Sequence, residues 1–269
     1  MERYQEIEKS IMTDYLKAVW DKFIKAVRDY ELIKNGDKIA VCISGGKDSM
    51  LMAKCFQELQ KHNEYDFELV FLVMNPGYDE TSKNKIIENS KLLNIPITMF
   101  ETKVFDVVNN IDDNPCYICS SIRRKHLYNK ANELGCNKIA LGHHFDDVIE
   151  TILMGMLFGS QIQTMMPKLK RPFHPGMELI RPMYLVKEED IISWRDVNNL
   201  EFLKCSCNIV KENGDKTSKR ADVKRIIADL KKEYGNIDIN IFRSVENVNL
   251  NSIISYKKDE ERHHFLDDY

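Results

Sequence analysis

The hydrophobic pattern of the chain begins with a helical repeat. Apolar side chains return at every fourth position of the N-terminal segment, at Ile7, Ile11, Tyr15, Val19, Phe23 and Val27. This spacing predicts an amphipathic helix that packs its apolar face on the rest of the protein. The turn residues Asn35-Gly36-Asp37 then separate this helix from the segment that follows.

Short apolar runs and longer amphipathic stretches alternate after that turn. The apolar runs predict strands over residues 38–43, 67–74, 95–100 and 138–141, and the longer stretches predict helices over residues 50–60, 80–93 and 146–158. This alternation indicates an α/β fold with a parallel sheet and helices on both faces. In such sheets, ligands bind outside the carboxyl ends of the strands.

The C-terminal part of the chain has a weaker pattern. Residues 159–186 contain four prolines and predict a loop-rich segment. Helices are predicted over residues 187–197 and 219–234. Residues 256–269 are dense in charge, and we expect a frayed end there.

Composition and charge are those of a soluble globular protein. The 269 residues are 43% hydrophobic and 30% charged, enough for one large α/β domain or two modest ones. The net charge of −3 gives no global sign of nucleic-acid binding, so any RNA contact depends on local basic patches. Residues 1–10 lack the apolar core of a secretory signal, and the longest apolar run, 152–158, is too short to span a bilayer. We therefore expect a cytoplasmic protein without membrane contact.

The most informative motif follows the first predicted strand and precedes a predicted helix. This motif, hereafter the glycine loop, reads Ser44-Gly45-Gly46-Lys47-Asp48-Ser49. Two glycines let the backbone approach an anion, and the following helix adds its positive N-terminal end. Lys47 adds a positive charge, and Asp48 suits an anion site where Mg²⁺ is also held. The spacing matches neither the common nucleotide loop nor the dinucleotide fingerprint, and a Gly-Gly pair alone would indicate only a turn.

A second polar motif follows the predicted strand at 138–141. It reads Gly142-His143-His144-Phe145-Asp146-Asp147. One carboxylate is expected to cap the next helix, and we assign that role to Asp146. Asp147 is then the candidate for binding Mg²⁺ and handling phosphate. Because both motifs follow strands of a parallel sheet, they can line one crevice.

The seven cysteines form two groups and three isolated positions. Cys116 and Cys119 are three positions apart, and Cys205 and Cys207 lie far downstream. From spacing alone, zinc, an iron–sulfur cluster and a redox pair all remain open, while disulfides are disfavoured in the cytoplasm. The isolated cysteines, interpreted as core residues, are Cys42, Cys55 and Cys136.

In their order along one chain, the glycine loop, the Cys-x-x-Cys pair, the Gly-His-His motif and the later cysteines resemble the TtcA family. These are the tRNA 2-thiocytidine synthetases, N-type ATP pyrophosphatases of the PP-loop superfamily. The resemblance covers most of residues 15–245 and implies an adenine nucleotide alpha hydrolase-like, Rossmann-like fold. The implied domains are an N-terminal helix over 1–34, a PP-loop ATP-pyrophosphatase domain over 35–200, and a C-terminal helical segment over 201–269 that carries the downstream cysteines.

The resemblance also implies ATP, Mg²⁺ and a [4Fe–4S] cluster as cofactors. The residues that would bind ATP are Ser44, Gly45, Gly46, Lys47, Asp48, Ser49, Gly142 and His143, and the catalytic residues would be Lys47, Asp48 and Asp147. The cluster would be held by Cys116, Cys119 and one downstream cysteine. The chain departs from the better-known members here, because its downstream pair is Cys-x-Cys rather than Cys-x-x-Cys. We prefer Cys205 to Cys207 because Cys205 lies nearer the apolar Phe202-Leu203.

The implied activity is tRNA thiolation, in which ATP adenylates the C2 oxygen of a pyrimidine, foremost cytidine, and cluster-delivered sulfur replaces it. The implied partners are tRNA and a sulfur donor, either a cysteine desulfurase or sulfide, and a homodimer stays open. Basic groups suited to an RNA backbone lie at residues 123–126, 168–171 and 216–225. The alternatives are a uridine thiolase, another PP-loop ATP pyrophosphatase, and a non-catalytic, zinc-stabilised nucleotide-binding module.

Overall fold

The computed structural model describes residues 1–108, 115–170, 174–203, 219–267 and 269, with the backbone alone for 115–117. The helices within these ranges are α1 (Arg3–Met12), α2 (Asp21–Asp29), α3 (Lys47–Lys61), α4 (Glu80–Leu92), α5 (Val104–Val108), α6 (Pro115–Glu133), α7 (Phe145–Gly159), α8 (Glu188–Val197), α9 (Lys219–Tyr234) and α10 (Ile237–Ser244). The strands are β1 (Asp37–Ile43), β2 (Phe67–Asn75), β3 (Ile97–Glu101), β4 (Lys138–Ala140), β5 (Lys168–Lys170), β6 (Glu178–Ile180), β7 (Ser255–Lys258) and β8 (Glu261–His264).

Six strands form one sheet in the order β3-β2-β1-β4-β6-β5. All neighbouring pairs are parallel except β5 with β6, which is antiparallel. The predicted α/β fold with a parallel sheet is therefore confirmed, with one antiparallel strand at its edge. β1 pairs with both β2 and β4, so the carboxyl ends of β1 and β4 lie side by side.

The centre of the sheet is apolar because helices cover it. Residues 39–43 of β1 are all buried, which explains why this strand reads as a continuous apolar run. The following helix, α3, buries an apolar face that includes Met50, Leu51 and Phe56. This packing holds the glycine loop, which joins β1 to α3, between two buried elements.

The apolar positions of the N-terminal repeat are buried as predicted, but they do not lie on one straight helix. All six apolar positions of the repeat are at most 7% exposed. The segment instead forms α1, a π-helical turn at Leu16–Trp20, and α2. A strict four-residue repeat exceeds the 3.6 residues of an α-helical turn, so a straight helix would rotate the apolar side chains away from one face. The wider turn, closed by the bond from Trp20 N–H to the Tyr15 carbonyl, compensates for that rotation.

The C-terminal part differs from the sequence prediction in two places. The proline-rich segment is loop-rich as predicted, but it also contains β5 and β6, which are three residues each and too short to show a period. The charged end is not frayed, because β7 and β8 pair as a hairpin whose Tyr256 and His263 rings stack at 4.7 Å. The hairpin turn places Asp259 and Glu260 at positive φ, as a type I′ turn requires. Asp259 suits the first position of this turn, but Glu260 stands where glycine is usual, so the sequence marks the turn only weakly.

Contacts divide the chain into two compact units. The first consists of Met1–Val148 and Met165–Ser218 and contains the six-stranded sheet. The second consists of Ile149–Thr164 and Lys219–Tyr269 and contains α9, α10 and the β7–β8 hairpin. Within the described ranges, no helix has the length and apolar character needed to cross a membrane.

Candidate active site

The glycine loop lies where the sequence predicts it, at the carboxyl end of β1, and its last three residues form the first turn of α3. Gly45 has a φ of +86°, and a Cβ there would come within 2.7 Å of Ile86 Cγ1, so the position requires glycine. The Ser49 hydroxyl donates to the Gly46 carbonyl at 3.0 Å and accepts the Ser44 N–H at 3.1 Å. These bonds brace the loop in a turn at the positive N-terminal end of α3.

The second motif contacts the glycine loop directly. A Cβ on Gly142 would lie 3.2 Å from backbone atoms of Asp48 and Ser49. This approach follows from the pairing of β4 with β1, because Gly142 comes just after β4 and the loop comes just after β1. The predicted crevice, with both motifs at one edge of the sheet, is present.

Three carboxylates surround His144 in this crevice. His144 Nε2 is 3.8 Å from Asp48 Oδ1 and 3.6 Å from Asp147 Oδ2. His144 Nδ1 is 3.8 Å from Asp146 Oδ2. The buried His144 Nδ1 has no hydrogen-bond partner among the described residues. The crevice thus presents a polar atom that a ligand could satisfy.

The two adjacent carboxylates of the second motif have different partners. Asp147 Oδ2 accepts the His144 N–H at 3.1 Å, which caps the N-terminus of α7. Asp146 Oδ2 accepts the Glu188 N–H at 2.7 Å, at the first residue of α8. The assignment of the α7 cap to Asp146 was therefore wrong, since Asp147 makes that contact and Asp146 caps α8 instead.

Lys47 lies between two carboxylates. Its Nζ donates to Glu188 Oε1 at 3.0 Å and forms an ion pair with Asp48 Oδ1 at 3.0 Å. Burial acts to lower the pKa of Lys47, but Asp48 and Glu188 outweigh it and raise this pKa above its usual value. Lys47 therefore stays protonated at neutral pH, as an anion-binding lysine must.

Sequence reasoning missed Glu188. The residue begins a predicted helix, and three acidic residues stand in its first turn. Acidic residues at a helix start ordinarily indicate favourable interaction with the helix dipole, so nothing marks Glu188 apart from Glu189 and Asp190. Only the fold brings α8 to the glycine loop.

The upstream cysteine pair lies at the start of α6. Positions 116 and 119 are one helical turn apart in the backbone of this helix. The half-buried Cys119 packs against Met74, Val104 and Val108. The side chain of Cys116 and both downstream cysteines, Cys205 and Cys207, lie outside the described residues.

Three other cysteines are core residues, as predicted. Cys42, Cys55 and Cys136 are all buried. Burial raises the pKa of Cys42 to about 12 and also raises the pKa of Cys55 and Cys136, so these thiols are poor nucleophiles and poor metal ligands. Across the part of the chain whose side chains are described, no group of three or more His, Cys, Asp or Glu residues is arranged to hold a metal ion.

The segment that leads to the downstream cysteines contacts the glycine loop. Leu203 N–H donates to the Gly45 carbonyl at 3.1 Å. Leu203 Cβ would be 3.4 Å from a Cβ at Gly45, so its side chain also packs on the loop. The described chain thus reaches the nucleotide motif two residues before Cys205.

The predicted basic groups are only partly available to RNA. Lys125 on α6 and Lys224 and Arg225 on α9 are exposed. Lys168 instead donates to the Glu31 carbonyl at 2.8 Å and pairs with Glu178 at 3.5 Å. Arg171 and Lys216 lie outside the described residues.

The PP-loop domain family matches residues 15–229 of the chain. The tRNA-cytidine(32) 2-sulfurtransferase of Polaromonas naphthalenivorans is 33% identical over 247 residues, which are 90% of this chain and 75% of that protein. The tRNA-cytidine(32) 2-sulfurtransferase 1 of Francisella philomiragia is 36% identical over 232 residues, which are 83% and 87% of the two chains.

Among solved structures, the U34-tRNA thiolase NcsA from Methanococcus maripaludis with its [4Fe–4S] cluster superposes with a TM-score of 0.66 at 24% identity. The match covers 84% of this chain and 76% of the thiolase chain, and it supports the fold. The sequence matches support membership of the family. The structure agrees with them, because two motifs from distant parts of the chain meet in one crevice. The chain belongs to the PP-loop domain family and, within it, to the TtcA family of tRNA 2-thiocytidine synthetases.

Proposed function

We propose that the protein thiolates tRNA at a cytidine, with ATP activating the C2 oxygen and sulfur replacing it. The observation that carries this proposal is the contact of Gly142 with the backbone of Asp48 and Ser49. That contact gathers a helix N-terminus, a protonated lysine and three carboxylates in one crevice of the sheet. Two relatives named as cytidine sulfurtransferases, at 33% and 36% identity, support cytidine over uridine.

The pyrophosphate of ATP would bind to the glycine loop. The backbone N–H groups at the start of α3 and the Lys47 ammonium would offset the charge of the phosphates. The C2 oxygen of the pyrimidine attacks the α-phosphorus of ATP, and pyrophosphate leaves. Sulfur at the oxidation level of sulfide then attacks C2, and the C2–O bond breaks with AMP as the leaving group. No net oxidation or reduction occurs.

Asp48 and Asp147 are the residues that would hold Mg²⁺. Carboxylate oxygens are the ligands this cation prefers, and Asp48 and Asp147 both lie beside His144, 3.8 Å and 3.6 Å from its Nε2. When bound, Mg²⁺ supplies positive charge beside the phosphates. Asp147 would keep its Oδ2 on the His144 N–H and use its remaining lone pairs for the cation.

Cys116, Cys119 and Cys205 are the residues that would hold a [4Fe–4S] cluster. Their thiolates are the soft donors such a cluster requires, and two of the three positions are one turn apart at a helix N-terminus. Leu203 lies on the glycine loop, and two residues of chain span at most about 7 Å, so Cys205 would lie near the ATP site. With three protein ligands, the cluster would supply an open iron where sulfur is kept deprotonated.

The experiment that tests this function uses protein purified without oxygen and supplied with tRNA, MgATP and sulfide. We expect iron and acid-labile sulfide in the protein and 2-thiocytidine in the digested tRNA. Cys116→Ala, Cys119→Ala and Cys205→Ala should each lose iron and thiolation together, whereas the matched control Cys207→Ala should keep both. A 2-thiouridine product would favour the uridine thiolase. Stoichiometric zinc without sulfide would favour the non-catalytic module.

A further inference from the structure

One residue outside both motifs contacts each of them. Glu188, the first residue of α8, accepts a hydrogen bond from Lys47 Nζ at 3.0 Å through its side chain. Its backbone N–H donates to Asp146 Oδ2 at 2.7 Å. The side chains of Lys47 and Glu188 are 18% and 19% exposed, so solvent reaches their ion pair only in part. Through two different groups, Glu188 contacts the lysine of the glycine loop and a carboxylate of the second motif.

The geometry suits positioning rather than chemistry. A lysine side chain has a flexible four-carbon stem, so a fixed acceptor is needed to hold its ammonium in one place. The ammonium carries three N–H donors. With Glu188 and Asp48 as two partners of Lys47, one donor is left for a phosphate oxygen.

We propose that Glu188 is a positioning residue, whose carboxylate holds the Lys47 ammonium in place for the phosphates of ATP. Its backbone N–H, bound to Asp146, holds the second motif beside the glycine loop. The proposal rests on the proposed ATP site in the glycine loop. Glu188 itself would not contact the reacting atoms. Its effect on ATP binding should therefore require Lys47.

A double-mutant cycle tests this dependence. Affinity for MgATP is measured without tRNA, by calorimetry or by competition with a fluorescent ATP analogue for weak variants. Loss of one charge-assisted hydrogen bond should make Glu188→Ala bind ATP about tenfold more weakly than the wild type. In a Lys47→Ala background the same substitution should have no further effect, because the group it positions is absent. Glu188→Gln, which keeps an acceptor oxygen, should bind within about threefold of the wild type.

A matched control lies on the same turn of α8. Glu189→Gln removes the same charge from a side chain that is 64% exposed and lies 3.7 Å from Lys187, and it should leave ATP affinity unchanged. Thermal unfolding of every variant shows whether the fold persists. If Glu188→Ala does not fold, the cycle is run with Glu188→Gln and Glu188→Asp, and a weakening by Glu188→Asp that vanishes without Lys47 supports the proposal.

Three results separate the claims. If Glu188→Ala lowers the affinity for MgATP equally with and without Lys47, then Glu188 affects ATP binding by a route that does not involve Lys47. This result would overturn the proposal. Unchanged or tighter ATP binding by Glu188→Ala would overturn it as well, while the proposed function would stand. A folded wild-type protein that binds no ATP would instead refute the proposed ATP site itself.

Discussion

Buried polar groups at the amino end of the sheet are paired within the protein, whereas the carboxyl end leaves a buried polar atom without a partner among the described residues. At the amino end, Lys138 Nζ lies 2.7 Å from Asp37 Oδ2, donates to the Leu32 carbonyl at 2.8 Å and lies 3.5 Å from Glu178. Asp37 also accepts from Asn137 Nδ2 at 2.8 Å. At the carboxyl end, Asp48 Oδ1 pairs with Lys47 Nζ at 3.0 Å, but the buried His144 Nδ1 has no hydrogen-bond partner among the described residues. Satisfied polar groups stabilise a fold, whereas unsatisfied ones in a crevice await a ligand.

This contrast matters because the amino end also has a cavity. A space of about 600 Å³ is lined there by Lys34, Lys138, Lys170, Glu178 and others. Size alone would make it a candidate binding site. Its central charges are already paired with each other, however, and both sequence motifs lie at the opposite end of the strands. We therefore expect the chemistry at the carboxyl end. Substitutions at the amino end should lower stability, and substitutions at the carboxyl end should lower activity.

The largest effect should come from the amino end and fall on stability. Lys138→Met leaves the buried Asp37 carboxylate without its cation, and breaking such a pair costs about 3–5 kcal/mol of unfolding free energy. Chemical denaturation measures this loss. The control Lys168→Met removes a lysine from the more exposed pair with Glu178 and should cost at most about 1 kcal/mol. If Lys138→Met is as stable as the control, the ion pairs at the amino end of the sheet do not stabilise the fold.

The second effect should come from the carboxyl end and fall on activity. Lys47→Ala removes a charge-assisted contact with the phosphates, and its rate of pyrophosphate release at saturating tRNA should fall about thirty- to a thousand-fold, or about 2–4 kcal/mol. Its unfolding free energy should change by no more than about 1 kcal/mol, since the Lys47–Glu188 pair is partly solvated. Undiminished pyrophosphate release would show that the glycine loop does not bind the phosphates.

The smallest effect separates the two adjacent carboxylates. Asp146→Ala removes the acceptor for the first N–H of α8 and should cost about 1 kcal/mol of stability, as a lost cap does. Asp147→Asn keeps an oxygen for the His144 N–H, so its stability should hold while turnover is lost with the carboxylate charge. Melting curves and turnover measured on both variants decide the assignment. Lost turnover in Asp146→Ala alone would reverse it.

Local sequence sufficed for the parts of the site that depend on neighbours along the chain. A strand, two glycines and a helix start predict the glycine loop, because each of these constraints acts within a few residues. The meeting of Gly142 with the loop was also predictable, since parallel strands end at one edge. The confirmed α/β fold has the same origin, as the alternation of strands and helices is a local signal.

Contacts between distant segments were not predictable in this way. The pairing of Glu188 with Lys47 joins residues 141 positions apart, and nothing in the sequence of α8 distinguishes that glutamate. The bond from Leu203 to Gly45 likewise depends on where the chain passes after α8. The strands β5 and β6 form because they pair with neighbouring strands of the sheet. Three residues are too few to show the alternating hydrophobic pattern of a strand in the sequence. The α7 cap was assigned to Asp146 instead of Asp147 for the same reason, because the partner of Asp146 lies on another helix.

The central claim is that the carboxyl-end crevice couples ATP cleavage to tRNA thiolation. Its most direct test is a single-turnover reaction of the anaerobic protein with tRNA, MgATP and sulfide, in which pyrophosphate and thiolated nucleoside are counted in the same sample. The account predicts one pyrophosphate and one AMP for each 2-thiocytidine, with all three formed about thirty- to a thousand-fold more slowly in Lys47→Ala. Release of ADP and phosphate, or pyrophosphate formed without any thiolated nucleoside, would contradict it.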